Sequence, residues 1–453
     1  MSTHAPIKLS DHFTFARLIR FVLPSICMMI FTSIYSVVDG FFVSNFVGKT
    51  PFAAVNLIMP LLMIFSAVGF MMGAGGNAII GKTLGEGKRD HANRYFSLFI
   101  YVTASVGTLL AIIGIAAMRP LAMLLGADGE ILSACVVYGR IILCALPMFM
   151  LQNLFQSFFI TAEKPQLGLF VTVLSGVMNM ILDALLVAVI PLGITGAALA
   201  TAISQCIGAV VALVYFSRKN SSLLRLCSLR MPSGEAMHYP TALLRACING
   251  SSEMVSNIAM SVVGIVYNFQ LMKYIGEDGI AAYGVMMYVG FIFIAVYIGY
   301  SMGAAPIVSY HFGAGNRGEL HNLRRKSLIL TGITGTVMLV LSQLLTVPLS
   351  YLYVGYDDAL YALTVHAFRI FNLSYMLSGF SIFISSFFTA LNDGVTSAVI
   401  SFLRTFVFQI AAVLLLPIWM DIEGVWWSII VSELMSVTIS AFFLVRYRGK
   451  FGY

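Results

Sequence analysis

Long apolar runs, broken by short polar segments, follow one another from residue 19 to residue 445. A helix needs about 20 apolar residues to cross ~30 Å of hydrocarbon. Twelve runs of that kind can be placed, at 19–45, 52–80, 95–118, 131–160, 167–190, 193–217, 243–272, 280–310, 327–349, 360–388, 395–418 and 423–445. Runs that are apolar at consecutive positions do not fit the alternating strands of an outer-membrane barrel, so each is expected to be a helix. The pattern predicts an all-α membrane protein of twelve spans.

The pattern also repeats, at a spacing close to 228. FVGKTPFAAVNLIM (46–59) aligns with YIGEDGIAAYGVMM (274–287), GFMMGAGG (69–76) with GYSMGAAP (299–306), GEGKRDH (85–91) with GAGNRGE (313–319), and FFITAEKP (158–165) with FFTALNDG (387–394). Each unit holds six spans, an even number, so both copies start on the same side of the membrane. This predicts an N-terminal lobe at 1–217, a linker at 218–242 carrying Pro232, and a C-terminal lobe at 243–453, the lobes related by an axis along the membrane normal. Parallel repeats of this kind occur in transporters that rock two bundles around a central site.

Composition and charge agree with a polytopic membrane protein. Only 10% of the 453 residues are charged, against about a quarter in soluble proteins, which excludes a soluble enzyme, a disordered chain and a collagen-like fibre. Of the 26 Lys and Arg residues, 20 fall in the segments on the side of the N-terminus, three (Lys49, Arg119, Lys273) on the opposite side, and three (Arg140, Arg369, Arg404) within spans. The positive-inside rule places both termini in the cytoplasm, and topology then accounts for the basic loops without a nucleic-acid partner. The N-terminal segment lacks the short apolar core and cleavage site of a secretory signal and reads as a cytoplasmic tail. The six cysteines are scattered without a C-x-x-C pair, so neither a disulfide framework nor a zinc site is implied.

Carboxylates inside apolar spans are costly and need a reason. Four stand out: Asp39, Asp183, Glu253 and Glu433. Asp39 lies in the outer half of the first span. Asp183 reaches a similar depth on the fifth, with Asn179 one turn earlier on the same face, and Thr201 descends to that depth on the sixth. Oxygen-only ligands suit a hard cation such as Na+, and a pair of desolvated carboxylates equally suits a proton. In the second lobe the repeat puts Tyr267 opposite Asp39 and Ala412 opposite Asp183, while Glu253 and Arg404 are unmatched in the first lobe. Glu253 and Arg404 are either a structural ion pair or a functional carboxylate with a nearby base. Glu433, opposite Gln205, reads as a helix-packing hydrogen bond. Arg140 and Arg369 are explained by snorkelling or by outer acids such as Asp357. Pro24, fifteen residues before Asp39, removes a helix hydrogen bond and can kink the first span. Tyr35, Asn153, Gln156 and Ser157 are the polar candidates for a substrate cavity.

Three segments carry a family resemblance: GAGGNAIIGKTLGEGKRDHA after the second span, GAAPIVSYHFGAGNRGEL after the eighth, and FQSFFITAEKPQLGLFVTVLSGVMNMILDALLV across the fourth and fifth. In this order, within a six-plus-six repeat, the chain resembles the multidrug and toxic compound extrusion (MATE) transporters, and its bacterial multidrug members most of all. The resemblance implies a V-shaped pair of lobes in the bacterial cytoplasmic (inner) membrane, acting as a monomer. It also implies export of bulky, often cationic organic compounds against inward Na+ or H+, with no cofactor. Asp39, Asn179, Asp183 and Thr201 match the family's N-lobe cation-site pattern, with Na+ as a possible occupant, and the family pattern also has a proline near Pro24. Some members place a second acid on the tenth span, where this chain has only His366 and Arg369. A lipid-linked oligosaccharide flippase of the same superfamily is the alternative, although it tends to go with a cationic cavity. A membrane-embedded enzyme lacks its motifs here: there is no H-E-x-x-H, no G-x-S-x-G and no P-loop.

Overall fold

The computed structural model describes residues 7–229 and 238–453; Pro232 and the middle of the linker lie outside the described residues. The spans form α1 (Phe15–Val47), α2 (Thr50–Gly85), α3 (Arg89–Leu124), α4 (Gly129–Thr161), α5 (Pro165–Val189), α6 (Ile194–Ser217), α7 (Tyr239–Tyr274), α8 (Glu277–Gly313), α9 (Arg317–Val354), α10 (Asp358–Asn372 and Tyr375–Ala390), α11 (Gly394–Leu415) and α12 (Pro417–Arg446). A single turn, α13 (Arg448–Phe451), closes the chain. Among the described residues eleven helices are long and apolar enough to span a membrane unaided, and α10 makes the twelfth as two limbs bent by 44°. That bend was not legible in the apolar run 360–388, because no proline or glycine stands at the break between Asn372 and Tyr375.

The repeat is written into the backbone as well as the sequence. Positive φ angles recur in pairs: Gly48 (110°) with Gly276 (88°), Gly87 (79°) with Gly315 (67°), and Glu163 (60°) with Asn392 (59°). Gly193 (60°) pairs with Asp421 (48°). Asp421 therefore holds a conformation that its counterpart reaches as glycine, at a cost of roughly 1–3 kcal/mol, and it breaks α12 near its start.

Packing differs between the two ends of the bundle. At the end holding both termini, one apolar cluster draws Phe21 and Val22 of α1 together with Ala304 and Ile307 of α8, Leu320 of α9, Phe387 of α10 and Tyr453. At the opposite end the clusters are separate: one is built from the first six helices, around Val55, Tyr138 and Ala197, the other from the last six, around Tyr267, Phe371 and Trp426. The halves meet through α1 on α8 and α2 on α7, pairs that the repeat exchanges. Glycines let these backbones touch: a Cβ at Gly299 would lie 2.6 Å from Ile26 Cα, and one at Gly303 2.9 Å from Val22 Cβ. The two six-helix bundles thus diverge from a joined end, as in a V.

Candidate cation and substrate site

α1 runs as one continuous helix through Pro24 and carries Asp39 in its last third. It finishes in a π-helical turn at Val43–Val47, and α5 finishes in another at Ala184–Val189, starting immediately after Asp183. Such turns insert an extra residue and re-aim neighbouring side chains, often at functional sites. Gly176 brings α1 onto α5, since a Cβ there would lie 2.9 Å from Tyr35 Cδ1.

The result is a buried cluster of oxygens. Asp183 is 0% and Asn179 1% exposed. The Asp39 carboxylate lies against the side chains of Asp183, Thr201 and Asn179, and Thr201 Oγ1 donates to Asp39 Oδ1 at 3.4 Å. Neither Asp183 oxygen, and neither polar atom of Asn179, has a hydrogen-bond partner in the protein. Among the described residues no basic group acts on either acid. Two buried carboxylates without a base are stable only with a proton or a cation between them. The donor set, with two carboxylates, an amide oxygen and a hydroxyl, fits a hard cation.

Tyr35 lies within electrostatic reach of Asp39, one turn away on α1. Tyr138 of α4, buried to 1% exposure, faces both acids; nothing in the sequence distinguished it from the other 19 tyrosines. The remaining cavity candidates lie elsewhere. Asn153, Gln156 and Ser157 are buried on α4, with Ser157 Oγ against Gly73 of α2. They sit about 22 to 28 Å along the helix from Tyr138 at 1.5 Å per residue, towards the joined end. The structure thus gathers Tyr35 with the acids and separates the other three from them.

In the second half the expected pairing is corrected. Arg404 forks onto Glu433, not Glu253, with Nη2 at 2.8 Å and Nε at 3.1 Å from Oε1. Glu433 is therefore one arm of a buried ion pair and not a simple packing hydrogen bond. Arg404 sits inside a third π-helical stretch, Leu403–Phe408, whose changed register aims it at α12. Glu253 still experiences the Arg404 charge without ion-pair contact. At the place of Asp39, Tyr267 shares a hydrogen bond with Ser428 at 2.8 Å and stacks on Tyr283 at 5.0 Å, so an aromatic pair fills the position of the acid cluster. Asp357 caps α10 through Ala359 N and Leu360 N, and His366 meets Glu423 at 2.7 Å.

One family model, described as MatE, matches the chain twice, over residues 24–185 and 254–415. The chain belongs to the MatE family. The two matches coincide with the two halves of the repeat, and the first contains Asp39, Asn179 and Asp183 while Thr201 lies beyond it. This MatE chain is 24% identical to the multidrug export protein MepA of Staphylococcus haemolyticus, over 96% of its own length and 94% of the relative's. It is 23% identical to MepA of Staphylococcus aureus, over 92% and 91%. Among solved structures it is similar to an outward-facing multidrug resistance MATE family transporter of the MOP superfamily, with a TM-score of 0.92, 18% identity and full coverage of both chains. At that identity the likeness concerns the fold.

Proposed function

We propose that this MatE protein is a monomeric secondary exporter of bulky organic compounds, many of them cationic, working by alternating access and antiport with Na+ or H+. Its relatives' multidrug export supports the substrate class. The distribution of Lys and Arg supports cytoplasmic termini in a bacterial cytoplasmic membrane, which makes the joined end cytoplasmic and the divergent end external. The structure then corresponds to an outward-open form.

The observation that carries the reading is the Asp39–Asp183–Asn179–Thr201 cluster. It gathers oxygens from three helices, those of Asp183 and Asn179 buried and without a partner in the protein, at the outer ends of α1 and α5, where a cation arriving from outside meets them first. Occupation by Na+ or H+ neutralises the carboxylates. A lipophilic cation drawn by the same negative charge is then released, because one carboxylate pair cannot compensate both. Tyr35 and Tyr138 supply aromatic faces beside the acids, suited to organic cations. A flippase for anionic lipid-linked sugars is disfavoured, since Arg404 is already neutralised by Glu433 and the first lobe is acidic.

The test is efflux of a cationic dye from proteoliposomes under an imposed Na+ or pH gradient, each alone. Asp183→Asn should reconstitute normally and lose gradient-driven efflux; undiminished coupling in that variant would overturn the assignment.

A further inference from the structure

Each bundle is entered through a segment that docks on the other. The segment before α7 leaves α6 and lies on α3, where Asn93 Oδ1 accepts from Arg225 N at 2.9 Å and Ser97 Oγ from Cys227 N at 2.9 Å. The segment before α1 lies on α9. Phe13 N donates to Glu319 Oε1 at 2.9 Å, His12 Nδ1 meets Glu319 Oε2 at 2.6 Å, and Lys326 Nζ donates to Phe13 O at 2.6 Å. Asn322 Nδ2 bridges Glu319 Oε1 and Phe13 O. Leu9 and Phe13 are fully buried, and Leu9 N also donates to Glu163 Oε1 at 2.6 Å. Burial pushes the Glu163 carboxyl above its ordinary range, opposed by that Leu9 N–H. The carbonyls of Leu9 and Asp11 face the buried His311 ring of α8.

The two segments differ in how far along the chain their anchors stand from the helix they lead into. Eleven residues separate Cys227 from α7, so the anchors on α3 stand well back along the chain from the helix that follows them. Phe13 adjoins Thr14, the N-cap of α1, whose hydroxyl accepts from Arg17 N at 3.3 Å. No slack separates the Glu319 anchor in the second bundle from the first helix of the first bundle. When the joined end opens, α1 parts from α8 and from α9, which follows it directly. The Phe13–Glu319 contact must then break.

We propose that residues 7–13 are a latch with Glu319 as its catch, clasping the joined end shut, and that its release is a required step in opening that end. The Asn93 and Ser97 contacts of the segment before α7 are not part of the latch. The latch rests on the alternating access proposed above but on no particular ion or compound, so unchanged distances in a protein that still exports would count against the latch alone.

The experiment places spin labels at Gln166 and Val395, repeat-related exposed positions in the α4–α5 and α10–α11 regions of the two bundles. The six native cysteines are replaced, and the distance distribution is measured by double electron–electron resonance in nanodiscs. Glu319→Ala should raise the fraction at longer distance at least fivefold. Glu319→Gln, which keeps the side-chain shape and carries the test should the alanine variant not fold, should move it the same way by at least twofold. Asn93→Ala, on α3 against the segment before α7, should leave the distribution as in the parent. Unchanged distributions in the Glu319 variants, or an equal rise in Asn93→Ala, would overturn the latch.

Discussion

Breaking the Arg404–Glu433 pair offers a quantitative check on the second bundle. Three contacts of 2.8 to 3.2 Å join the side chains, which are 15% and 2% exposed. Removing one member of a buried pair strands the other charge and costs about 3–5 kcal/mol. Arg404→Met should fall in that range, because it strands Glu433 at 2% exposure. Glu433→Gln should cost only ~2 kcal/mol: an amide oxygen still accepts from the guanidinium, and Glu253, already within the field of Arg404, supplies compensating charge. Arg404→Met combined with Glu433→Gln removes both charges and should lose only about 2 kcal/mol, so that the cycle shows a coupling of about 3–5 kcal/mol. Glu253→Gln with Glu433→Gln should cost more than the two single changes summed. Equilibrium unfolding in mixed micelles, followed by the fluorescence of Trp419, Trp426 and Trp427, all on α12, measures all of these. Additive losses for Arg404 and Glu433 would refute the pair as a coupled unit.

Three further outcomes follow from the geometry. Gly299→Ala puts a Cβ 2.6 Å from Ile26 Cα and 2.7 Å from Ser25 O, where backbone cannot yield, and should cost ~1–3 kcal/mol in thermal or SDS unfolding; no loss would mean that α1 and α8 are not in contact. Thr201→Val removes the hydroxyl that donates to Asp39 and should weaken Na+ binding about fivefold to tenfold, on the order of 1 kcal/mol, while leaving proton-driven efflux within twofold, so that isothermal titration with NaCl separates the two currencies. Raising Na+ or lowering pH should weaken equilibrium binding of ethidium to the purified protein, and Asp39→Asn should blunt that dependence; cation-independent affinity in both proteins would sink the exchange mechanism.

How much of this could be read from residues depends on the range of the interaction involved. The number of spans and the 228-residue repeat are properties of contiguous sequence, because the bilayer acts on each twenty-residue run separately and every helix closes its own backbone hydrogen bonds. The acid cluster was also legible. Helical rise alone gives Asp39, Asp183 and Thr201 a common depth, and a carboxylate in an apolar run is conspicuous.

Interactions between helices were not legible in this way. Arg404 had two acids to choose from, Glu253 and Glu433, and depth did not separate them. The π-helical stretch Leu403–Phe408 decided the matter by rotating the side chain towards α12, and local propensity does not encode that adjustment. Tyr138 joined the acids, and Asn153, Gln156 and Ser157 did not, because one long helix passes through two depths and only its packing neighbours say which polar residue faces which site. The latch is of the same kind. Phe13 and Glu319 lie 306 positions apart, with nothing in either local segment to announce the other. Hydrophobic insertion is set residue by residue along one helix, whereas an ion pair, a docked strap or a ligand cluster exists only once two helices have been brought within about 3 Å of each other.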